Sequence, residues 1–471
     1  MERIYDIAVI GAGAAGLAAG IFAAESARVQ GQTARIVLLD AAKKIGAKIL
    51  VSGGGRCNVT HEEIHPEDFN GSKNIIRNVL AAFDEHATVR WFDSLGVPLK
   101  REASGKLFPV SDSARTVLNA LLRRGGELGV SVLTQHRVYE VIPPEHTFPP
   151  SPLAGEGRDG GASQFQLCRR PPHPVPFDFA QDRPLPRGER EPSIPRREAM
   201  FTVRHEQGVL SARRVIMATG GRSLPRTGSD GSGWEIVRHL GHTVPETYPA
   251  LVPLAVREGM FHVELSGLSL PVELSLLADG KLIDRRAGSL LWTHFGVSGP
   301  VVMDASRHWI IARAGGQSVE VRCNFLPGQN FEQIERWLVD SAASRPRVSV
   351  GRILAQQFPE RLAAALVRAA GIDPATTLSQ LPRVPRRALV HVLTAFVLPI
   401  EHARGWNFAE VTAGGVPLPE IDYRTMASRK IPGLYLIGEM LDCDGRVGGF
   451  NFQWAWATGY LAGRAAAKLE T

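Results

Sequence analysis

Tyr5-Asp-Ile-Ala-Val-Ile-Gly-Ala-Gly-Ala-Ala-Gly-Leu-Ala-Ala-Gly-Ile-Phe-Ala-Ala-Glu25 decides the fold. A β-branched run (Ile7, Val9, Ile10) meets Gly11-x-Gly13-x-x-Gly16, and an Ala-rich helical pattern follows. This is the strand, turn and helix start of a dinucleotide-binding unit. Gly11 permits the tight turn, and Gly13 lets backbone approach a pyrophosphate. Ala14 and Ala15 open a helix whose N-terminal dipole favours that anion. Gly16 and Gly20 let the helix lie close on the strand. The next apolar run, Ile36 to Leu39, ends at Asp40, placed to accept hydrogen bonds from a ribose. The uncharged stretch 7–24 approaches the length of a membrane helix. Its first third is strand-like and broken by glycines, and no basic segment precedes it, so neither a membrane span nor a signal peptide is expected.

With 471 residues, two or three structural units are expected. Cys57, Cys168, Cys323 and Cys443 are scattered without a C-x-x-C pair. That argues against a disulfide framework or a metal site and fits a reducing, cytoplasmic compartment. The net charge of +7 is modest. Residues 331–405 hold ten Arg against six Asp and Glu. Such a surface is either a solvated face or a contact for an acidic partner or RNA.

Helical patterns fall near 75–95 and 112–128, and an extended stretch runs from Val130 to Ile142. Composition then changes. Residues 143–198 hold proline pairs (143–144, 149–150, 171–172) and no hydrophobic periodicity. A segment of this kind buries too little apolar surface to offset its ordering entropy, so a disordered insertion is expected. It separates two strand-like runs, Val138–Ile142 and Phe201–Val203. Beyond it, Arg214-Val-Ile-Met-Ala-Thr-Gly-Gly221 reads as a buried strand. Residues 250–326 read as strand-rich and 329–404 as helical (Phe331–Ser341, Val350–Ala369, Pro385–Phe396). Gly433-Leu-Tyr-Leu-Ile-Gly-Glu439 is one more strand, and Gly448-Gly449 leads into a final helix reaching about Lys468. The expected units are 1–249 and 405–471, forming the dinucleotide-binding domain, with an inserted domain at 250–404.

Three separated segments point to FAD. They are the fingerprint with Asp40, the strand end Ala218-Thr219-Gly220-Gly221, and Gly438-Glu439, whose carboxylate suits a ribityl hydroxyl. The helix from Gly449 would aim its dipole at the flavin ring. Ser52-Gly53-Gly54-Gly55-Arg56-Cys57-Asn58 exposes backbone N–H groups for a flat ring or phosphate. Arg56 suits phosphate or reduced flavin, and Asn58 suits the ring edge. Cys57 has no second cysteine nearby and reads as a packed or neighbouring thiol. His294, in a Gly/Ser-rich loop, is either a proton donor facing the flavin or a structural histidine. Asp442 and Asp444 are either catalytic acids or helix caps. Gly228-x-x-Gly231-x-Gly233 reads as a turn before a helix at Trp234.

Gly46-Ala-Lys-Ile-Leu-Val-Ser-Gly-Gly-Gly-Arg-Cys-Asn-Val-Thr60 resembles the signature of a bacterial flavoprotein family. Its members are labelled NAD(P)/FAD-dependent oxidoreductases, of aminoacetone-oxidase and bile-acid-reductase-like type. Trp292-Thr-His-Phe-Gly-Val-Ser-Gly-Pro300 and Asp444-Gly-Arg-Val-Gly-Gly-Phe-Asn-Phe-Gln-Trp-Ala-Trp456 match two further motifs, and the likeness spans the chain except 143–198. It implies an α/β fold, a Rossmann-like FAD-binding domain split by an inserted strand-rich plus helical domain. Gly11, Gly13, Gly16, Asp40, Arg56, Asn58, Gly438, Glu439 and Asn451 then fall on cofactor positions. The chain departs from the family at Asp40, where Glu is frequent, at Leu224, where an aromatic is frequent, and at Ala427-Ser428-Arg429, where Glu-Ser-Lys is usual. The expected activity is hydride transfer through the flavin, with a small-molecule substrate. Only one complete fingerprint is present, so NAD(P)H would bind transiently, or a reduced substrate would donate directly. Alternatives are an RNA-associated flavoprotein gripping phosphates through Arg345, Arg347, Arg352, Arg383, Arg386 and Arg387, and a flavin binder without turnover. These arginines lack the interleaved aromatics of a single-strand binder, so nucleic acid is the weaker expectation. Nothing in the sequence speaks to oligomeric state.

Overall fold

A computed structural model describes residues 3–144 and 200–468. The strand Arg3–Ile10 lies at the centre of a sheet whose main path runs 421–422, 427–428, 434–436, 208–217, 3–10, 36–39, 131–133. The five strands from 434–436 to 131–133 are parallel, with Ile7 opposite both Ile36 and Arg214. Both faces of these strands are covered, and the run Ile36–Leu39 is accordingly apolar throughout and buried.

Helix Ala14–Val29 crosses one face and packs on the final helix, Phe450–Ala466. Small residues set their closeness: a Cβ at Gly463 would stand 2.5 Å from the Ala19 carbonyl oxygen, and one at Gly459 2.8 Å from that of Ala15. The last helix thereby returns the chain's end to its first element. The strands Val138–Ile142 and Phe201–His205 pair antiparallel, with Val141 opposite Val203. The expected disordered insertion lies, from residue 145 to 198, outside the described residues.

Strand Tyr248–Ala250 pairs antiparallel with Val411–Ala413. Between them stands a second body with its own apolar core. Its seven-stranded sheet is antiparallel and runs 396–398, 319–324, 269–278, 281–293, 296–298, 254–256, 400–403. Two details correct the expected division into strand-rich and helical halves. Helix Pro300–Ala314 lies inside the first half, and strands Phe396–Leu398 and Ile400–Ala403 close the second. Pro300 occupies the first turn of its helix, where its missing N–H costs nothing. Val301, Val302, Ala305, Trp309 and Ala312 then form its buried stripe. The single helix expected over Val350–Ala369 is two, Val350–Leu354 and Glu360–Ala369, separated around Pro359. Among the described residues no helix is long and apolar enough to cross a membrane.

Candidate active site

At the end of the first strand, Gly11 takes φ +104°, and a Cβ there would meet the Ala218 carbonyl oxygen at 2.4 Å. A Cβ on Gly16 would lie 1.9 Å from the Gly11 carbonyl oxygen, so this glycine is required by backbone contact between turn and helix. Gly13 is different. A Cβ there meets nothing within 4 Å and points into open space at the helix N-terminus. Asp40 sets the turn, accepting from the Ala12 N–H at Oδ2 and the Ala42 N–H at Oδ1, both at 2.8 Å.

This space is one end of a cavity of about 510 Å³. Its wall takes in Gly11, Gly13, Ala14, Ala15 and Asp40 from the fingerprint, and Ser52, Gly53, Gly54, Arg56 and Asn58 from the glycine loop. Ala218, Thr219, Gly220, Gly438, Glu439, Gly449 and Asn451 complete the set. Gly16 and Cys57 do not line it. Cys57 is fully buried at φ 63°, and burial pushes its thiol up to about 12, which leaves it a packed, protonated group.

The loop conformation explains the exposure of its neighbours. Ser52 leaves the helical path, Gly53 and Gly54 turn left-handed, and Asn58 follows with its amide oxygen buried and unpartnered. Thr219 Oγ1 is likewise buried without a partner. Two orphaned polar atoms, an empty cradle at Gly13 and two helix N-termini, at Gly13 and Gly449, fit a long ligand with a polar ring edge and a pyrophosphate. The donor set therefore suits FAD.

Several expected contacts are already committed within the protein. Glu439 Oε1 accepts from Ser223 Oγ at 2.7 Å and from Thr412 N and Oγ1 at 3.0 Å, while Oε2 accepts from Lys48 Nζ at 2.6 Å. Arg56 pairs with Glu102 at 2.5 Å and lies over the Phe108 ring. Asn451 clamps Gly445 through both amide atoms. The Gly228–Gly233 turn does lead into a helix, Ser232–His239, and Gly228, Ser229 and Ser232 also line the cavity.

None of the three residues expected to do substrate chemistry lines this cavity. His294 is exposed on a hairpin, its ring edge-on to Phe295. Asp444 is buried, ion-paired with Arg307 at 3.1 Å and held by Asn70 at 2.8 Å, and burial raises its carboxyl to about 6. Burial raises Asp442 as well. Neither aspartate caps the last helix; Gly449 occupies that position. These carboxylates belong to the seam between the two bodies. Sequence reading missed Lys48, Lys106 and Glu410, which do line the cavity. The one available signal was at Glu410-Val-Thr-Ala-Gly-Gly415, an apolar run ending in glycines like that at Ala218–Gly221.

A second cavity, of about 460 Å³, adjoins the first, sharing Lys106, Arg446 and Val447 with it. The second body contributes Ser289, Pro300 and Asp304 to its wall. Arg446 spans the seam, pairing with Asp68 at 3.0 Å and Asp304 at 3.5 Å.

Comparison with known proteins agrees with this architecture. The family model described as HI0933-like protein Rossmann domain matches residues 5–148 and 190–465. A 3-dehydro-bile acid delta(4,6)-reductase of Clostridium scindens is 31% identical over 463 residues, covering 98% of this chain and 99% of that protein. A ribosomal RNA dihydrouridine synthase of Escherichia coli is 29% identical, covering 98% of this chain and 97% of that protein. Among solved structures, a 3-ketosteroid-delta4-(5alpha)-dehydrogenase from Rhodococcus jostii RHA1 is similar at 14% identity and a TM-score of 0.46, with 99% of this chain and 97% of that chain covered. The chain belongs to the HI0933-like family of FAD-binding Rossmann proteins.

Proposed function

We propose that this flavin oxidoreductase saturates a carbon–carbon double bond conjugated to a carbonyl in a small molecule, drawing electrons from NAD(P)H. The observation that carries the reading is the pair of adjoining cavities. One is lined by residues that suit FAD, and the other is walled by both bodies and shares Lys106, Arg446 and Val447 with it. The relatives support the reaction class. The names of the 3-dehydro-bile acid delta(4,6)-reductase and of the ribosomal RNA dihydrouridine synthase both describe reduction of an unsaturated compound.

Bound FAD supplies a hydride at N5 of its ring. The protein's part is to hold and orient. N–H groups at the Gly13 helix start would take the pyrophosphate, and Asp40 the adenosine ribose. Asn58 offers its unpartnered oxygen to the imide N–H of the ring. The N-terminus at Gly449 favours negative charge on the reduced ring. Glu439, fixed by four donors, keeps one further lone-pair direction on Oε2 for a ribityl hydroxyl.

Arg386 and Arg387, two of the arginines considered for RNA, are engaged within their own body, with Glu335 and the Phe331 ring. The test is anaerobic. NADH or NADPH should bleach the yellow holoprotein, and 2-cyclohexen-1-one or a 3-keto-4-ene steroid should restore the colour. Released FMN instead of FAD, or a reduced protein that no enone re-oxidises, overturns the proposal.

A further inference from the structure

Four acids line the FAD-shaped cavity: Asp40, Glu102, Glu410 and Glu439. Three are spoken for. Asp40 takes two backbone N–H groups, Glu102 takes Arg56, and Glu439 takes four donors. Among the described residues no donor or cation closes on the Glu410 carboxylate. The same holds for one cation at this end of the cavity, Lys106, whose ammonium meets no carboxylate within ion-pair distance and makes no hydrogen bond. Lys106 lines both cavities, Glu410 lines the first, and both side chains are left available to a ligand there.

Their placement is set by rigid elements. Lys106 begins strand Lys106–Pro109, which pairs with Thr60–His61 and so stands beside the glycine loop. Glu410 precedes strand Val411–Ala413. Its N–H donates to the Leu251 carbonyl at 3.1 Å and its own carbonyl accepts from Ser223 at 3.2 Å. The backbone is thus anchored on both sides while the side chain lines the cavity and is exposed to its space.

We propose that Lys106 and Glu410 are the substrate-facing pair of this enzyme: Lys106 stabilises the carbonyl oxygen as it becomes anionic, and Glu410 gives the proton that completes saturation. The inference rests on the reaction class proposed above. In the step, bound FAD in its reduced form would supply a hydride, with its electron pair, to the β-carbon of the enone and would itself be oxidised. The π electrons of the double bond move toward the carbonyl, and the enolate oxygen is held by the Lys106 ammonium. The enolate α-carbon then takes the Glu410 proton, and solvent reaching this exposed side chain re-protonates the carboxylate. Two electrons and two protons are delivered in all.

The electrostatics suit the task. Burial pushes the Glu410 carboxyl above the usual range; Lys106 opposes that shift and Asp304, from helix Pro300–Ala314, adds to it. Arg446 stands behind Asp304, and the Lys48–Glu439 pair lies beyond Thr412. A carboxyl held up in this way keeps its proton nearer neutrality, as a general acid requires.

The test reads binding without turnover. The probe is p-nitrophenol, whose phenolate stands in for the enolate, titrated into oxidised holoprotein with FAD content measured in the same samples. We expect the phenolate's association constant to fall about tenfold or more in Lys106→Met, the scale of one charge-assisted hydrogen bond. In the wild type it should also fall as pH rises through the Glu410 titration, because a carboxylate then faces the anion. Glu410→Gln should keep low-pH affinity and lose that fall. FAD content should match the wild type in both variants. With any enone that re-oxidises the reduced wild type, Glu410→Gln should slow that half-reaction by about 10²–10⁴-fold. Equal phenolate binding in Lys106→Met, or an unchanged pH profile in Glu410→Gln, overturns the pair. Failure of every enone to re-oxidise the protein overturns the reaction class instead, since the phenolate titration does not depend on turnover.

Discussion

Gly13 and Gly16 stand three residues apart in one motif, yet the structure gives them different work. A Cβ at position 16 would strike the Gly11 carbonyl, whereas one at position 13 would meet only empty space. The consequences of substitution should separate accordingly. Gly13→Val has ordinary backbone angles to occupy (φ −78°) and no protein atom to strike, so thermal stability of the apoprotein should hold within about 1 kcal/mol. The valine fills the cradle, and FAD affinity should fall by about 100-fold or more, read by flavin retention on desalting. Gly16→Ala forces the turn off the helix and should cost about 3 kcal/mol or more in urea unfolding. If both variants lose stability equally, Gly13 does not face the cofactor space.

The two outer helices of the sheet show how an element can be decided by its smallest residues. Gly459 and Gly463 let the final helix lie directly on Ala15 and Ala19, and the same helix presents Gly449 to the cavity. Gly463→Val should therefore do two things at once. It should lower stability by about 2–4 kcal/mol and weaken FAD retention, although position 463 lies about two turns beyond Ala455, the last residue of that helix at the cavity. Retained stability with full flavin content would show that the helix has room to shift. A second element-scale expectation concerns strands Val138–Ile142 and Phe201–His205. They pair antiparallel with Ile142 opposite Thr202, a geometry that a short connection satisfies. The family match passes over residues 149–189. Deleting that stretch should leave flavin content and melting temperature unchanged, and insoluble or flavin-free protein would refute this.

At the scale of the molecule, the seam between the two bodies is charged and buried. Asp444 meets Arg307, and Asp304 meets Arg446 and the Val447 N–H. The Asp444 carboxyl is raised by burial to about 6, above the value of an unfolded aspartate. Folding therefore favours its protonated form. Its contribution is fully present below about pH 4, the unfolded value, and is lost as pH rises through about 6, amounting to about 3 kcal/mol across that window. Asp444→Asn keeps an acceptor for Arg307 and Asn70 but cannot ionise, so its stability should not show that decline between pH 4 and 6. Chemical denaturation at the two pH values, compared between wild type and variant, checks the sign. An identical slope in both would remove Asp444 from the pH dependence.

The sequence by itself determined the cofactor-binding frame, because that frame is made of local requirements. A tight turn, a helix N-terminus and backbone approach need glycine at 11, 13 and 16, and four consecutive buried residues at 36–39 need a strand covered on both faces. Such constraints act within a few residues and leave a readable spacing. The residues that line the cavity from distant parts of the chain were not legible. His294, Asp442 and Asp444 stand in motifs near the expected flavin end, but the folded chain puts the histidine on an exposed hairpin and the aspartates in the seam. Lys48, Lys106 and Glu410 come to one cavity from positions more than 300 residues apart at the extremes. Whether such a side chain is free or paired depends on neighbours that only tertiary contact supplies. Glu439 has the better motif and four partners; Glu410 has the weaker motif and an unpaired carboxylate in the cavity. Spacing encodes the shape of the backbone, and the packed fold decides which charges remain available for chemistry.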